Sequence, residues 1–219
     1  MPLSVTTLFG CGKPSPLAAF LIGVDMFANK HGGVFAAGRP RYLYVPDSNL
    51  IVCITPRAAS TSMRASIGMR RTMGATNPTE LLTPDRVIGK GVNVVMWLRH
   101  VGDRIASGHW LFGGQVMGDI DTYMRHIMME SNAHWDPMTY MHSHEERLLP
   151  NLIYPFEKLQ ATWDMLLPGY TLEREHMSPK RVQWVDMKHK ISKPVLDQMK
   201  EHWKGDIDMY TELTGLPAI

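Results

Sequence analysis

Two stretches about forty residues apart hold the side chains best suited to chemistry on an anion. In the first, the apolar run Leu50-Ile51-Val52-Cys53-Ile54 leads into Thr55-Pro56-Arg57-Ala58-Ala59-Ser60-Thr61-Ser62. In the second, Val94-Val95-Met96-Trp97-Leu98 leads into Arg99-His100-Val101-Gly102-Asp103-Arg104-Ile105-Ala106-Ser107. A guanidinium forks onto two oxygens of a phosphate or sulfate, and N–H groups at a helix start favour negative charge. Small residues such as Ala58 and Ala59 let the backbone approach such a group closely. Two such loops on one sheet would cradle a ligand with two separate phosphate groups, which points to a nucleotide. Neither loop is a Walker A sequence, because GxxxxGK[ST] is absent. Gly10-Cys11-Gly12-Lys13-Pro14 fails the same test, with Pro after the Lys and no strand before it.

The elements that must position these loops follow from the apolar pattern. Leu50 to Thr55 and Val92 to Leu98 are nearly continuous apolar runs, the signature of strands covered on both faces. Ser60 to Arg71 and Asp103 to Phe112 read as the helices that follow them. Tyr42 to Val45 is a short strand candidate, and Leu152-Ile153-Tyr154 a third strand ahead of a helix over Phe156 to Leu167. Asn77 to Lys90 reads as a loop with a short helix. A stripe of Ile120, Met124, Ile127 and Met128 predicts a helix over Asp119 to Ser131. Residues 132–151 look irregular, Val182 to Met187 suits a short strand, and Pro194 to Leu213 a closing helix with a weak point at Gly205. An apolar helix is expected over Pro16 to Asn29. Strands alternating with helices imply an α/β fold in which a mainly parallel central sheet is flanked by helices. Ligands of such sheets sit at the carboxyl ends of the strands.

Composition bounds the function. The 219 residues suit one domain, and 44 % hydrophobic with 20 % charged residues is ordinary for a globular protein. A net charge of +2 without a basic arm gives no reason to expect a nucleic-acid partner. The apolar run from Leu17 through Phe27 is broken by Gly23 and Asp25 and is too short to span a bilayer. Met1 to Phe9 carries no positive side chain, so no secretory signal is expected. Cys11 and Cys53 read as unpaired thiols, which suits a reducing, cytoplasmic setting.

Taken together, the two loops resemble the phosphate-binding elements of sulfotransferases that use 3′-phosphoadenylyl sulfate. Pro56, Ala59, Ser60, Thr61 and Ser62 match that family's first loop, with Arg57 where Lys is usual. Arg99, Arg104 and Ser107 match its second loop at the right spacing, with His100-Val101 in place of Asp-Pro. Three further segments are similar to the membrane-type carbohydrate sulfotransferases: His134-Trp135-Asp136-Pro137, Pro155-Phe156-Glu157-Lys158-Leu159 and Trp203 to Tyr210. The resemblance covers roughly residues 48–215, with 1–47 as an N-terminal layer, and implies a P-loop-like, three-layer domain.

The resemblance implies that Arg57, Ala58, Ala59, Ser60, Thr61 and Ser62 hold the 5′-phosphosulfate, and that Arg99 and Ser107 hold the 3′-phosphate. The activity implied is transfer of a sulfuryl group to a hydroxyl or amine of a carbohydrate or similar acceptor, leaving adenosine 3′,5′-bisphosphate. Arg57 would stabilise charge on the bridging oxygen, and either His134 or Glu80 would serve as general base. Such transfer requires no metal. His142-Ser143-His144-Glu145-Glu146 lacks a third ligand at a recognisable spacing and reads as a solvated surface stretch. Two alternatives stay open: a catalytically silent nucleotide-binding interaction module, and a P-loop kinase of a small metabolite.

Overall fold

The computed structural model describes residues 41–67, 80–112, 118–132, 134–173 and 183–219. The helix expected over 16–29 lies outside them, as does the continuation of the first-loop helix past residue 67.

The strands are β1 (Arg41–Val45), β2 (Leu50–Ile54), β3 (Glu80–Leu82), β4 (Asn93–Leu98), the hairpin pair β5 (Ser143–His144) and β6 (Arg147–Leu148), and β7 (Leu152–Pro155). Five of them form one sheet in the order β3-β1-β2-β4-β7. β2, β4 and β7 pair in parallel, whereas β1 runs antiparallel to both β2 and β3. The α/β expectation holds, with a parallel centre inside a mixed sheet.

The helices are α1 (Ser60–Ser66), α2 (Pro84–Lys90), α3 (Val101–Phe112), α4 (Ile120–Met129), α5 (Met138–Met141), α6 (Leu159–Leu166), α7 (Trp184–Lys188), α8 (Lys193–His202) and α9 (Lys204–Thr214). Alternation along β2 and β4 sends side chains to two separate cores. On one face Ile51, Cys53, Met96 and Leu98 pack with Ile105, Tyr123, Met124, Trp135 and Trp203. On the other, Val52, Ile54, Val95 and Trp97 pack with Met63, Leu159 and Trp163. Helices therefore cover both faces, which is why both central strands read as unbroken apolar runs. Among the described residues no helix is long and apolar enough to cross a membrane.

Four expectations need correction. Residues 132–151, expected as irregular, hold α5 and the β5–β6 hairpin, elements too short to show a period. Glu80–Leu82 is an edge strand rather than loop, held by pairing Tyr42 with Leu82 and Tyr44 with Glu80; three residues are too few to show a period. The segment expected as a strand over 182–187 is instead the helix α7. Trp184 and Met187, three apart, are buried at 4 % and 3 %, while Val185 between them is 58 % exposed. The closing helix breaks at Trp203 into α8 and α9, and a Cβ on Gly205 would sit 2.8 Å from the Thr139 hydroxyl.

Gly102 opens α3 under the Trp184 ring, and a Cβ there would lie 2.3 Å from the indole. Its N–H donates to the Ala218 carbonyl at 3.2 Å, so the chain end closes over the same spot. Gly102→Ala should lower stability by about 3 kcal/mol, as overpacking against an aromatic wall does. Urea denaturation checks this, and unchanged stability would contradict the packing.

Candidate anion-binding site

Because β2, β4 and β7 are parallel, their carboxyl ends bring the first loop, the second loop and Phe156-Glu157 to one edge of the sheet. The first loop turns sharply. Ala58 N–H donates back to the Thr55 carbonyl at 3.1 Å, and Arg57 and Ala59 both adopt left-handed backbone, φ 64° and 57°. Side-chain-bearing residues adopt that region at a cost of about 1 kcal/mol each, so the surroundings must hold them there.

Two arginines of the second loop supply that hold. Arg99 Nη1 donates to the Arg57 carbonyl at 2.5 Å, and its guanidinium lies 5.3 Å from the Phe156 ring centroid. Arg104, only 2 % exposed, donates through Nη1 to the Asp136 carbonyl at 2.5 Å and through Nε to the Pro56 carbonyl at 3.5 Å. Burial pushes the Arg104 guanidinium down to about 10; nearby Asp206 and Asp136 oppose this, and the charges of Arg99 and Arg57 add to it. Arg57 is likewise pushed down to about 10, by burial and then by Arg99. The two loops therefore meet in one cluster of mutually repelling cations, which an anion would relieve.

The His134-Trp135-Asp136-Pro137 segment is strapped into this cluster from several sides. Trp203 donates its indole N–H to the Trp135 carbonyl at 2.8 Å, and Trp135 donates its own to the Glu130 carbonyl at 2.9 Å. Asp206, 1 % exposed, accepts from the backbone N–H groups of Met138 and Thr139 at 2.7 and 2.8 Å, ordering the start of α5. Tyr210 donates to Glu157 at 2.8 Å and meets the His100 ring edge-on. All five segments picked out in the sequence thus touch at least one of the others.

His134 lies within this assembly. Burial, then the charges of Arg57 and Arg104, push its imidazole down to about 3, so it is neutral at neutral pH. Ser107 is half-buried on α3, on the same face as Arg104 and Gly108 by helical spacing. Ser60 and Thr61 are half-buried at the start of α1, and Ser62 is buried. Glu80 is not brought to the cluster. It sits on the edge strand level with Tyr44, hence with Ile51 at the other end of β2, and pairs with Arg86 and with Lys90 at 3.3 Å. A 260 Å³ cavity lined by Val87, Asn93, Arg147 and Asn151 opens at that far edge of the sheet.

Residues the sequence reading passed over also matter here. His142, expected on a solvated stretch, is 0 % exposed beneath the first loop. Its Nε2 shares a 2.7 Å hydrogen bond with the Thr55 hydroxyl, and its Nδ1 a 3.3 Å one with the Tyr42 hydroxyl. Only Glu145 and Glu146 form an exposed turn, while His144 pairs with Asp85 at 3.0 Å. Among the described residues no group of three or more metal-ligating side chains is present. Tyr123, buried on α4, was missed although it continues the stripe at three residues past Ile120 and four before Ile127. No protein-family model, curated protein or solved structure matches the chain.

Burial holds the His142 imidazole down at about 3, against 6.5 in the unfolded chain. The unfolded state therefore takes up a proton first as pH falls below about 6.5. Stability from this group is complete above that pH and is lost on acidification at about 1.4 kcal/mol per pH unit, levelling near pH 3. His142→Gln should remove one proton's worth of that slope between pH 6 and 4. Urea midpoints across that range test it, and an unchanged slope would contradict a neutral, buried imidazole.

Proposed function

We propose that the chain is a sulfotransferase that takes its sulfuryl group from 3′-phosphoadenylyl sulfate and passes it to a hydroxyl or amine of a carbohydrate or similar acceptor. The observation that carries this reading is the meeting of Arg57, Arg99 and Arg104 at the carboxyl edge of parallel strands. Support comes also from the packing of the other three family-like segments around those cations. A doubly anionic nucleotide suits a cluster whose own charges repel one another.

In this account Arg57 and the backbone of the first loop face the phosphosulfate, where negative charge grows on the bridging oxygen as the S–O bond to the nucleotide breaks. The acceptor oxygen or nitrogen attacks sulfur from the opposite side and gives up its proton. In this reading His134 receives it. Neutral at rest, it is held weakly basic partly by Arg57 and Arg104. An anion bound against those guanidiniums would offset their charge and raise the basicity of His134. Arg57 is a less apt proton donor to the leaving group than the lysine usual in the family, so its part is electrostatic. Glu80, tied to Arg86 and Lys90 at the far end of the sheet, takes no part. The expected setting is the cytoplasm, on the strength of cysteine usage.

The weak basicity of His134 favours one second reading, a nucleotide-binding interaction module without turnover. Transfer of labelled sulfate from donor to an acceptor pool separates the two.

Ser107→Ala should weaken adenosine 3′,5′-bisphosphate about tenfold and leave adenosine 5′-phosphate unchanged, the worth of one hydrogen bond to a charged group. Arg99→Ala should weaken the bisphosphate by about tenfold to a hundredfold, as loss of a charge-assisted contact does, and also loosen the first loop through the lost bond to the Arg57 carbonyl. Calorimetry in the absence of magnesium checks both. Equal losses for the two nucleotides with Ser107→Ala would remove the second loop as the 3′-phosphate site.

A further inference from the structure

The cavity at the far edge of the sheet lies apart from the arginine cluster and carries its own set of polar groups. Its walls are the end of α2, the start of β4 and the chain running from the β5–β6 hairpin into β7. Those walls are tied together. His144 pairs with Arg147 across the hairpin and reaches Asp85 on α2 at 3.0 Å. Asn151 binds both backbone groups of Val94: its N–H donates to the Val94 carbonyl at 3.0 Å, and its Oδ1 accepts from the Val94 N–H at 2.8 Å. Walls joined in this way hold the cavity open before a ligand arrives. Asn93, Arg147 and Asn151 are all exposed, so the cavity is reached from solvent.

The polar lining is reduced to donors. The Val94 N–H needs an acceptor, which fixes the Asn151 amide with its oxygen toward β4. Asn151 Nδ2 then donates to Asn93 Oδ1 at 3.1 Å, which fixes the second amide in turn. Each amide oxygen already accepts a bond, and what the two side chains add beyond those bonds is N–H. Arg147 contributes a guanidinium, a donor fork with a permanent positive charge. Among the described residues no Asp or Glu lines the cavity. A cation would meet like charge here, and a neutral ligand would leave the guanidinium unmatched. An anion suits all three side chains. Most of the remaining lining is hydrocarbon, including Val87, Ile88 and Leu149. Inorganic phosphate or sulfate would leave that hydrocarbon unused. The 260 Å³ available equals the liquid volume of about nine waters, which sets the ligand at about that many non-hydrogen atoms.

We propose that this cavity binds a small aliphatic carboxylic acid as its carboxylate. The two oxygens lie on the Arg147 fork and the Asn93 amide, and the hydrocarbon body lies against Val87, Ile88 and Leu149. The cavity holds this ligand whatever the arginine cluster binds. Strand β4 stands between the two sites, running from Asn93 at the cavity to Leu98, which immediately precedes Arg99.

The test follows the amide resonances of isotope-labelled protein while isocaproate, acetate, isohexyl alcohol and isohexylamine are titrated in turn at fixed pH and ionic strength. Isocaproate should shift the Asn93 and Asn151 side-chain amides saturably, with a Kd of about 1 mM or below. Acetate lacks the hydrocarbon body and the alcohol lacks the charge, so each should bind at least about tenfold more weakly. The amine should not bind. Asn93→Asp keeps the oxygen that accepts from Asn151 but replaces the donor with negative charge, and Arg147→Gln removes the fork. Each should weaken isocaproate about tenfold or more at an unchanged melting temperature. If a variant melts earlier, the ligand series on wild type decides alone. Absence of saturable shifts at those amides below roughly 10 mM isocaproate would overturn the proposal. Equal binding of the alcohol, or wild-type affinity in either variant, would do the same. Shifts confined to the first and second loops would also overturn it, because the anion would then sit on the arginine cluster.

Discussion

The buried Arg104 guanidinium is the interaction on which the site depends. A cation taken out of water is costly unless its donors are met and opposite charge stands near. Arg104 meets the first condition with the carbonyls of Pro56 and Asp136, and the second with the carboxylates of Asp136 and Asp206. Each partner comes from a different part of the chain: the first loop, the segment before α5, and α9. One side chain on α3 thereby fixes three segments that share no local sequence, and Asp206 extends the tie by ordering the start of α5. The fold does not merely carry this cluster on its edge. Its core helices are joined through it.

The same arrangement gathers like charge. The Arg99 charge depresses both Arg57 and Arg104, and the carboxylates of Asp206 and Asp136 oppose this at Arg104. The backbone of the first loop is held in left-handed conformations at Arg57 and Ala59, with Arg99 bound to the Arg57 carbonyl. Strain and like-charge repulsion of this kind are tolerated where a ligand relieves them. His134 reads out the same field. It is kept neutral by burial and by two of the cations, so its basicity follows the charge around them.

Much of this was legible in the chain. Runs such as Leu50 to Ile54 and Val94 to Leu98 announce strands covered on two sides, and spacing placed Arg99, Arg104 and Ser107 on one loop-helix unit. The contacts between distant segments are written in no local pattern. What stayed hidden has physical reasons. Glu80–Leu82 is a strand because β1 offers it an edge, which no local pattern encodes. Val182 to Met187 is apolar enough for a strand, and the three-residue spacing of Trp184 and Met187 tells only once both are seen buried, with Gly102 beneath the indole. His142 sits in a polar-looking run whose neighbours are solvated, so composition pointed outward while Thr55 and Tyr42 drew the ring inward. Tyr123 belongs to a readable stripe, but a buried hydroxyl with no partner among the described residues is a property of the folded surroundings alone.

The central claim is that both loops grip one ligand through a shared cationic cluster. A crystal structure of the protein with adenosine 3′,5′-bisphosphate tests it most directly. The account predicts the 5′-phosphate against Arg57 and the first-loop backbone, and the 3′-phosphate against Arg99 and Ser107. Density for the nucleotide at the far edge of the sheet, or with one phosphate facing solvent and Arg99 still turned wholly to the Arg57 carbonyl, would contradict it.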